Sequence, residues 1–282
     1  MWQTKLCIAT SERLELSETE QITLFKSKGF DGFFTGWSPD KDIAALKVHA
    51  DREGMLYQSL HAPFKNSKYM WTEGKDTEAA VAELIACAES CARNGIGLMV
   101  AHAFIGFKDH TPNEAGLRNF ERVAARAKEL GVKIALENTE GEEYLEALMA
   151  HLRGYENVGF CWDTGHELCY NHSKDMLALY GDRLLGTHLN DNLGIRDFGG
   201  EITYYDDLHL LPFDGVGDWE DIAARLAAHH FDGPLTFELS FAAHLRDSAL
   251  SFYPYNTEQY VEHAFVRACK LATLLQKKRS VF

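Results

Sequence analysis

From Lys5 to Leu239 the chain repeats one alternation: a short apolar run, a polar or glycine-bearing break, then a stretch whose apolar residues recur every three or four positions. Short apolar runs between turn formers predict strands buried on both faces, and the longer periodic stretches predict amphipathic helices. Strands are expected at Lys5–Thr10, Gly32–Gly36, Leu56–His61, Leu98–His102, Lys133–Asn138, Val158–Asp163, Leu184–Leu189 and Pro234–Leu239. Strand and helix in strict alternation imply parallel β/α units, so eight of them predict an α/β chain closed into a single (β/α)8 barrel.

Helix boundaries are written in the same pattern. Ser17-Glu-Thr-Glu20 reads as a capping box, as does Thr111-Pro-Asn-Glu114 with proline in the first helical position, and Gly131 ends the helix that follows. Asp218 or a neighbour is expected to cap Trp219–Ala228, and Asn256 or Thr257 to open a last helix carrying Val261, Phe265, Cys269 and Leu275 on one face. One long irregular stretch, Asn190 to Gly217, follows the seventh strand. A loop of that length is expected to serve function.

Composition narrows the partners. The 282 residues suit one barrel domain spanning 1–282, and the hydrophobic fraction of 46% is that of a globular chain. A formal net charge of −14 gives an outer field that repels polyanions, which disfavours nucleic acid and anionic membranes as partners. The six cysteines form no CxxC pair and are too sparse for a disulfide scaffold, so they are read as reduced, with Cys87 and Cys91 packing one helical turn apart. No stretch reaches the ~18 apolar residues of a membrane span. The first ten residues lack the features of a secretory signal, and a cytoplasmic location is expected. Phe252-Tyr-Pro-Tyr255 is readable either as the contact of a homo-oligomer or as a core edge.

The chemistry collects at strand ends. His61, His102, Glu137, Asp163, His188 and Glu238 stand at or one residue before the ends of six successive expected strands, and His166 follows Asp163. The C-terminal ends of barrel strands build the active sites of this architecture. A lone strand-end histidine is ordinarily structural, but six strands delivering a ligand type to one rim is a pattern. Glu137 and Glu238 follow apolar residues, where a bare carboxylate is costly unless paired or metal-bound. Imidazole and carboxylate ligands without thiolate suit Mn, Co, Fe, Mg or Zn as a divalent cofactor. Cys161, two positions before Asp163, is expected one layer deeper as packing.

Leu136-Glu-Asn138, Trp162-Asp-Thr-Gly-His166, Thr187-His-Leu-Asn-Asp-Asn192, the stretch from Asp207-Leu-His209 to Trp219, and Phe237-Glu238 together resemble the xylose-isomerase-like TIM barrel superfamily, specifically its sugar phosphate isomerase/epimerase branch. The resemblance implies a metal-dependent isomerase or epimerase acting on a small sugar or sugar phosphate. It also implies one divalent metal on Glu137, Asp163, His188 and Glu238, with His166 touching substrate. Glu137 and Glu238 would act as acid and base on the C–H beside a ketose carbonyl, through an enediolate. His61, His102, Asp207 and His209 remain as additional metal or substrate residues. Arg196 is a candidate for sugar hydroxyls, Arg246 for a phosphate, and Trp37, Phe104 and Phe107 for apolar walls against a sugar face.

The same superfamily contains endonuclease IV, a three-zinc abasic-site enzyme, and this chain satisfies its ligand types in order. Three features oppose that alternative: Asp163-Thr-Gly-His166 has no Cys before the histidine, the run after His209 is spelled as in the isomerases, and Lys65, Lys68, Lys108, Arg196 and Arg246 are dispersed. A cyclic-polyol (inosose-type) dehydratase would use the same metal and base. A non-catalytic binding barrel would have no reason to carry both glutamates.

Overall fold

The computed structural model describes residues 4–108, 111–195, 201–241 and 253–280. Eight strands lie where the apolar runs place them: β1 (Leu6–Ala9), β2 (Gly32–Gly36), β3 (Leu56–His61), β4 (Leu98–His102), β5 (Lys133–Glu137), β6 (Val158–Asp163), β7 (Leu184–His188) and β8 (Leu235–Phe237). Every ladder is parallel, in the order β7-β6-β5-β4-β3-β2-β1-β8. Leu189 bridges Phe237 in parallel, and its N–H donates to Thr236 O at 2.8 Å, which brings β7 to β8 and makes the sheet a nearly closed barrel. The fold is a (β/α)8 TIM barrel.

The helices are α1 (Glu18–Lys28), α2 (Ile43–Glu53), α3 (Lys75–Arg93), α4 (Glu114–Glu129), α5 (Glu142–His151), the short α6 (Thr164–Cys169) and α7 (Met176–Tyr180), α8 (Trp219–Ala228) and α9 (Thr257–Arg279). Ser17 and Asn256 make complete capping boxes on α1 and α9, and Asp218 caps α8. The start of α4 departs from the expected one. Asn113, not Thr111, is the cap, because its Oδ1 accepts from Gly116 N while its Nδ2 donates to Trp71 O, and Pro112 falls outside the helix. Cys87 and Cys91 are buried on the inner face of α3. On α9, Val261 and Leu275 are buried, with Phe265 and Cys269 partly buried against the same core. Among the described residues no helix is long and apolar enough to cross a membrane.

Register fixes what the barrel mouth contains. His102 pairs with Glu137, Glu137 with Cys161, and Asp163 with His188, while Val100 pairs with Ala135 one step below. Side chains two residues apart share a face, so the cluster of Leu98, Val100, Ala135 and Cys161 forms the layer beneath the polar rim. Cys161 therefore packs, as its spacing predicts.

Candidate metal centre

Six consecutive strands deliver one rim. His61, His102, Glu137, Asp163 and His188 are the last residues of β3 to β7, and Glu238 follows β8 directly. α6 begins on Asp163, whose Oδ1 accepts from His166 N at 2.7 Å, and this cap turns His166 back over the rim. The loop after β7 adds Asp207 and His209. Their alternation with buried Leu208 and Leu210 is that of an extended segment with one polar face. Donor atoms within 4.8 Å of one another then define linked groups: His61/His102/Glu137, Glu137/Asp163/His188/Glu238, His61/His188/Glu238 and, above them, His166/Asp207/His209.

The ring nitrogens show what this arrangement is built for. A backbone carbonyl can only accept, so a ring nitrogen facing one carries the proton. His61 Nδ1 faces Ala62 O at 2.8 Å, His166 Nδ1 faces Asn138 O at 2.9 Å and His209 Nδ1 faces Glu238 O at 3.0 Å. Each neutral ring would then present its Nε2 lone pair to a carboxylate: His61 to Glu137 Oε2 at 3.2 Å, and His166 and His209 to the same Asp207 Oδ2 at 3.2 and 2.9 Å. Acceptor against acceptor at these distances needs a second proton or a cation between them. Metal-bound histidines commonly donate their other N–H to a carbonyl, which fixes the ring. His188 Nδ1 lies 3.0 Å from both Glu137 Oε1 and Glu238 Oε2, and His102 Nε2 lies 3.3 Å from Glu137 Oε2. Among the described residues His188 Nε2, His102 Nδ1 and Asp207 Oδ1 are buried without a hydrogen-bond partner. Imidazole and carboxylate donors, converging and incompletely satisfied, fit a divalent cation.

Charge balance agrees. Burial would push the Glu137 carboxyl up, but His188, with His102 and His61, holds it well below the ordinary range. Burial would push the His188 imidazole down, yet the Glu137 and Glu238 carboxylates hold it well above its usual value. The same opposition raises His166, through Asp163 and Asp207, and raises His209 to about 10, mainly through Asp207. His102 goes the other way: burial outweighs Glu137 and its imidazole is pushed down. Burial raises Asp163 to about 6, because His166 and His209 only partly offset it. Without a cation the rim is thus neutralised by protons on histidine, and those protons and a cation compete for the same nitrogens.

A cleft of about 210 Å³ opens on this rim, with Phe64, Tyr170, Tyr204 and Glu140 among its walls. None of these four was marked by the sequence pattern, because they sit on loops whose aim depends on packing. Phe107 is legible and backs this wall, edge-on to Tyr170 at 5.7 Å and against Tyr204 at 4.7 Å. Phe104 is instead buried, stacked on Tyr144 at 4.1 Å, and Trp37 is half-buried against the main core. Neither is among the residues that line the cleft. Arg196 and Arg246 lie outside the described residues.

Known structures share this scaffold. An L-ribulose 3-epimerase aligns over 99% of this chain and 98% of its own with a TM-score of 0.75 at 16% identity. The D-psicose 3-epimerase of Clostridium cellulolyticum H10, solved with D-tagatose, covers 98% and 99% with a TM-score of 0.67 at 17% identity. The 3-keto-D-glucoside 4-epimerase YcjR of E. coli covers 95% and 100%, also at 0.67, with 14% identity. At such identities the likeness is one of fold. Among curated proteins, y4fM of Sinorhizobium fredii is 32% identical over 168 residues, 57% of this chain, which thereby spans 48% of that relative's length. The family model described as xylose isomerase-like TIM barrel matches residues 22–255, and the chain belongs to that family.

Proposed function

We propose that this chain, as one domain over residues 1–282, is a metal-dependent sugar isomerase or epimerase that moves a proton next to a carbonyl. The observation that carries this reading is the pair of glutamates: Glu137 Oε1 and Glu238 Oε2 flank one imidazole nitrogen, 3.0 Å from each, inside a four-residue donor group completed by Asp163. A divalent cation on Glu137, Asp163, His188 and Glu238 would acidify the C–H beside a bound ketose carbonyl and stabilise the charge left when the proton departs. The protein's own part is then acid–base work. One glutamate takes the proton from one face of the carbon, and the other returns a proton from the opposite face. Return to the same carbon inverts it, whereas return to its neighbour exchanges ketose and aldose. His166, on the mouth side, would hold a substrate oxygen, and the aromatic wall of Phe64, Tyr170 and Tyr204 would cover the sugar's C–H face.

A second reading is favoured by one observation: His61, His102, Asp207 and His209 extend the donor set beyond four residues into further linked groups. More than one cation suits hydrolysis of a phosphodiester, with one ion generating hydroxide and another stabilising the leaving oxygen.

Metal-loaded protein incubated in heavy water with ketoses, ketose phosphates and inosose-type ketones should place deuterium beside the carbonyl of at least one of them. Glu137→Gln and Glu238→Gln should each cut that exchange by roughly 10²–10⁴-fold, the usual worth of a positioned acid or base. Wild-type exchange in either variant would remove the acid–base assignment. Nicking of an abasic duplex without any exchange would select the second reading.

A further inference from the structure

Asp191 touches none of the donor groups, yet the loop that carries Asp207 and His209 is wound around it. Its carboxylate is fully buried and accepts four N–H groups: Asn192 N at 2.8 Å, Phe213 N at 3.0 Å, Gly217 N at 2.9 Å and the Trp219 indole Nε1 at 2.8 Å. Its backbone pairs both ways with Leu210, N to O at 2.9 and 2.8 Å. A methyl group added at Gly215 would collide with Asn192 O and Asp191 Oδ1, so the loop passes this carboxylate too closely for a side chain at that position. His209 and Phe213 hold left-handed backbone, φ 47° and 74°, which a non-glycine residue keeps only where its surroundings over-determine it.

We infer that Asp191 is the positioning residue of the loop pair. It gathers the start of α8 and residues 213–217 onto the end of β7, and through its pairing with Leu210 it sets where His209 and Asp207 stand against His166. The mouth-side donor group is therefore held by a carboxylate outside the group, while Glu137, Asp163, His188 and Glu238 are held by the strands. Loosening the knot should weaken the first group and spare the second. This inference rests on the part of the second reading above in which Asp207 and His209 belong to a further donor group that takes its own cation.

The test uses cobalt(II) alone, titrated into the full-length metal-free protein by calorimetry and visible absorption. Asp207→Asn removes a loop ligand directly and defines the signature to match: one bound ion fewer than in wild type. Asp191→Asn and Gly215→Ala should weaken that same ion roughly 10- to 100-fold, as loss of a supporting hydrogen-bond partner does at metal sites, and leave the remaining ion within about twofold of wild type. Trp219→Phe, which removes one donor and keeps the ring packing, should give a smaller loss at the same ion. It decides the matter if Asp191→Asn fails to fold. If Asp207→Asn binds cobalt as wild type does, the reading of the loop pair fails and the inference with it. If Asp207→Asn loses its ion while Asp191→Asn, Gly215→Ala and Trp219→Phe all keep it, the reading stands and the role of Asp191 is overturned. Equal losses at every ion in the knot variants would make Asp191 a residue of the fold and likewise overturn it.

Discussion

His209 shows how much of the site is decided by single nitrogen atoms. Its Nδ1 is committed to Glu238 O, so its Nε2 meets Asp207 Oδ2 either as a proton donor or as a ligand. In the metal-free protein the proton wins, and the Asp207 carboxylate holds the imidazole at about 10 against an ordinary 6.5. A group whose folded value is raised contributes stability that is fully present below its unfolded value and is lost as pH rises through the folded one. His166 and His188 are raised in the same sense, so the effects add. Asp163, raised to about 6, also withdraws stability with rising pH, but between its ordinary 3.8 and 6. Glu238, lowered to about 2, has the opposite sign and withdraws stability as pH falls from its ordinary 4.5 to that value. The urea midpoint of chelator-treated protein should therefore fall steadily from about pH 6.5 towards 10. Cobalt affinity should rise over the same window, because each ligating histidine must lose the proton it holds. A midpoint that is flat or rises across that window would show that these imidazoles are already neutral in the metal-free fold.

The elements explain why much of this site could be read from the chain and why part of it could not. Parallel barrel strands are buried on both faces and so write short continuous apolar runs, and a polar residue closing such a run marks the rim. That is how His61, His102, Glu137, Asp163 and His188 were legible, with β1, β5, β7 and β8 shorter than expected at their ends. Phe64, Glu140, Tyr170 and Tyr204 belong to βα connections, where direction comes from contacts between loops that no local period encodes. Asn138 lies between the two cases, since its place after Glu137 was visible but its work was not. One residue past β5, it donates to Asp163 O at 2.8 Å and Asn171 Oδ1 at 2.9 Å, accepts from Asp163 N at 2.8 Å, and offers its own carbonyl to His166. The side chain thus extends the β5–β6 ladder beyond the strands. Asn138→Ala should cost about 1–3 kcal/mol for each polar group it strands in the interior. It should also weaken cation binding, because the backbone N–H and C=O of Asp163 both lean on the lost amide. A chemical denaturation curve beside a cobalt titration checks both, and wild-type values in the two would show that the β5–β6 junction is held by the strands alone.

At the scale of the whole molecule, charge decides which polymer or small molecule can reach the rim. The chain carries a formal −14, and among the described residues the cleft lining has glutamate, aspartate, histidine and aromatic side chains but no Lys or Arg. Duplex DNA presents about one negative charge per 1.7 Å, and its binding draws affinity from lysines and arginines that displace counterions. A neutral sugar asks for none of this. It needs hydrogen-bonding groups and an apolar face, and both line the cleft. The metal-loaded protein should accordingly bind a fluorescent abasic duplex no tighter than the ~10⁻⁴–10⁻⁶ M of non-specific association at physiological salt. Its exchange activity on an uncharged ketose should change little between about 50 and 300 mM salt, since no charged partner is steered towards the mouth. Ionic strength therefore separates the two chemistries with one protein sample. Sub-micromolar duplex binding that weakens steeply with salt would mean that cations beyond the described lining reach the mouth and that the phosphodiester reading is the right one.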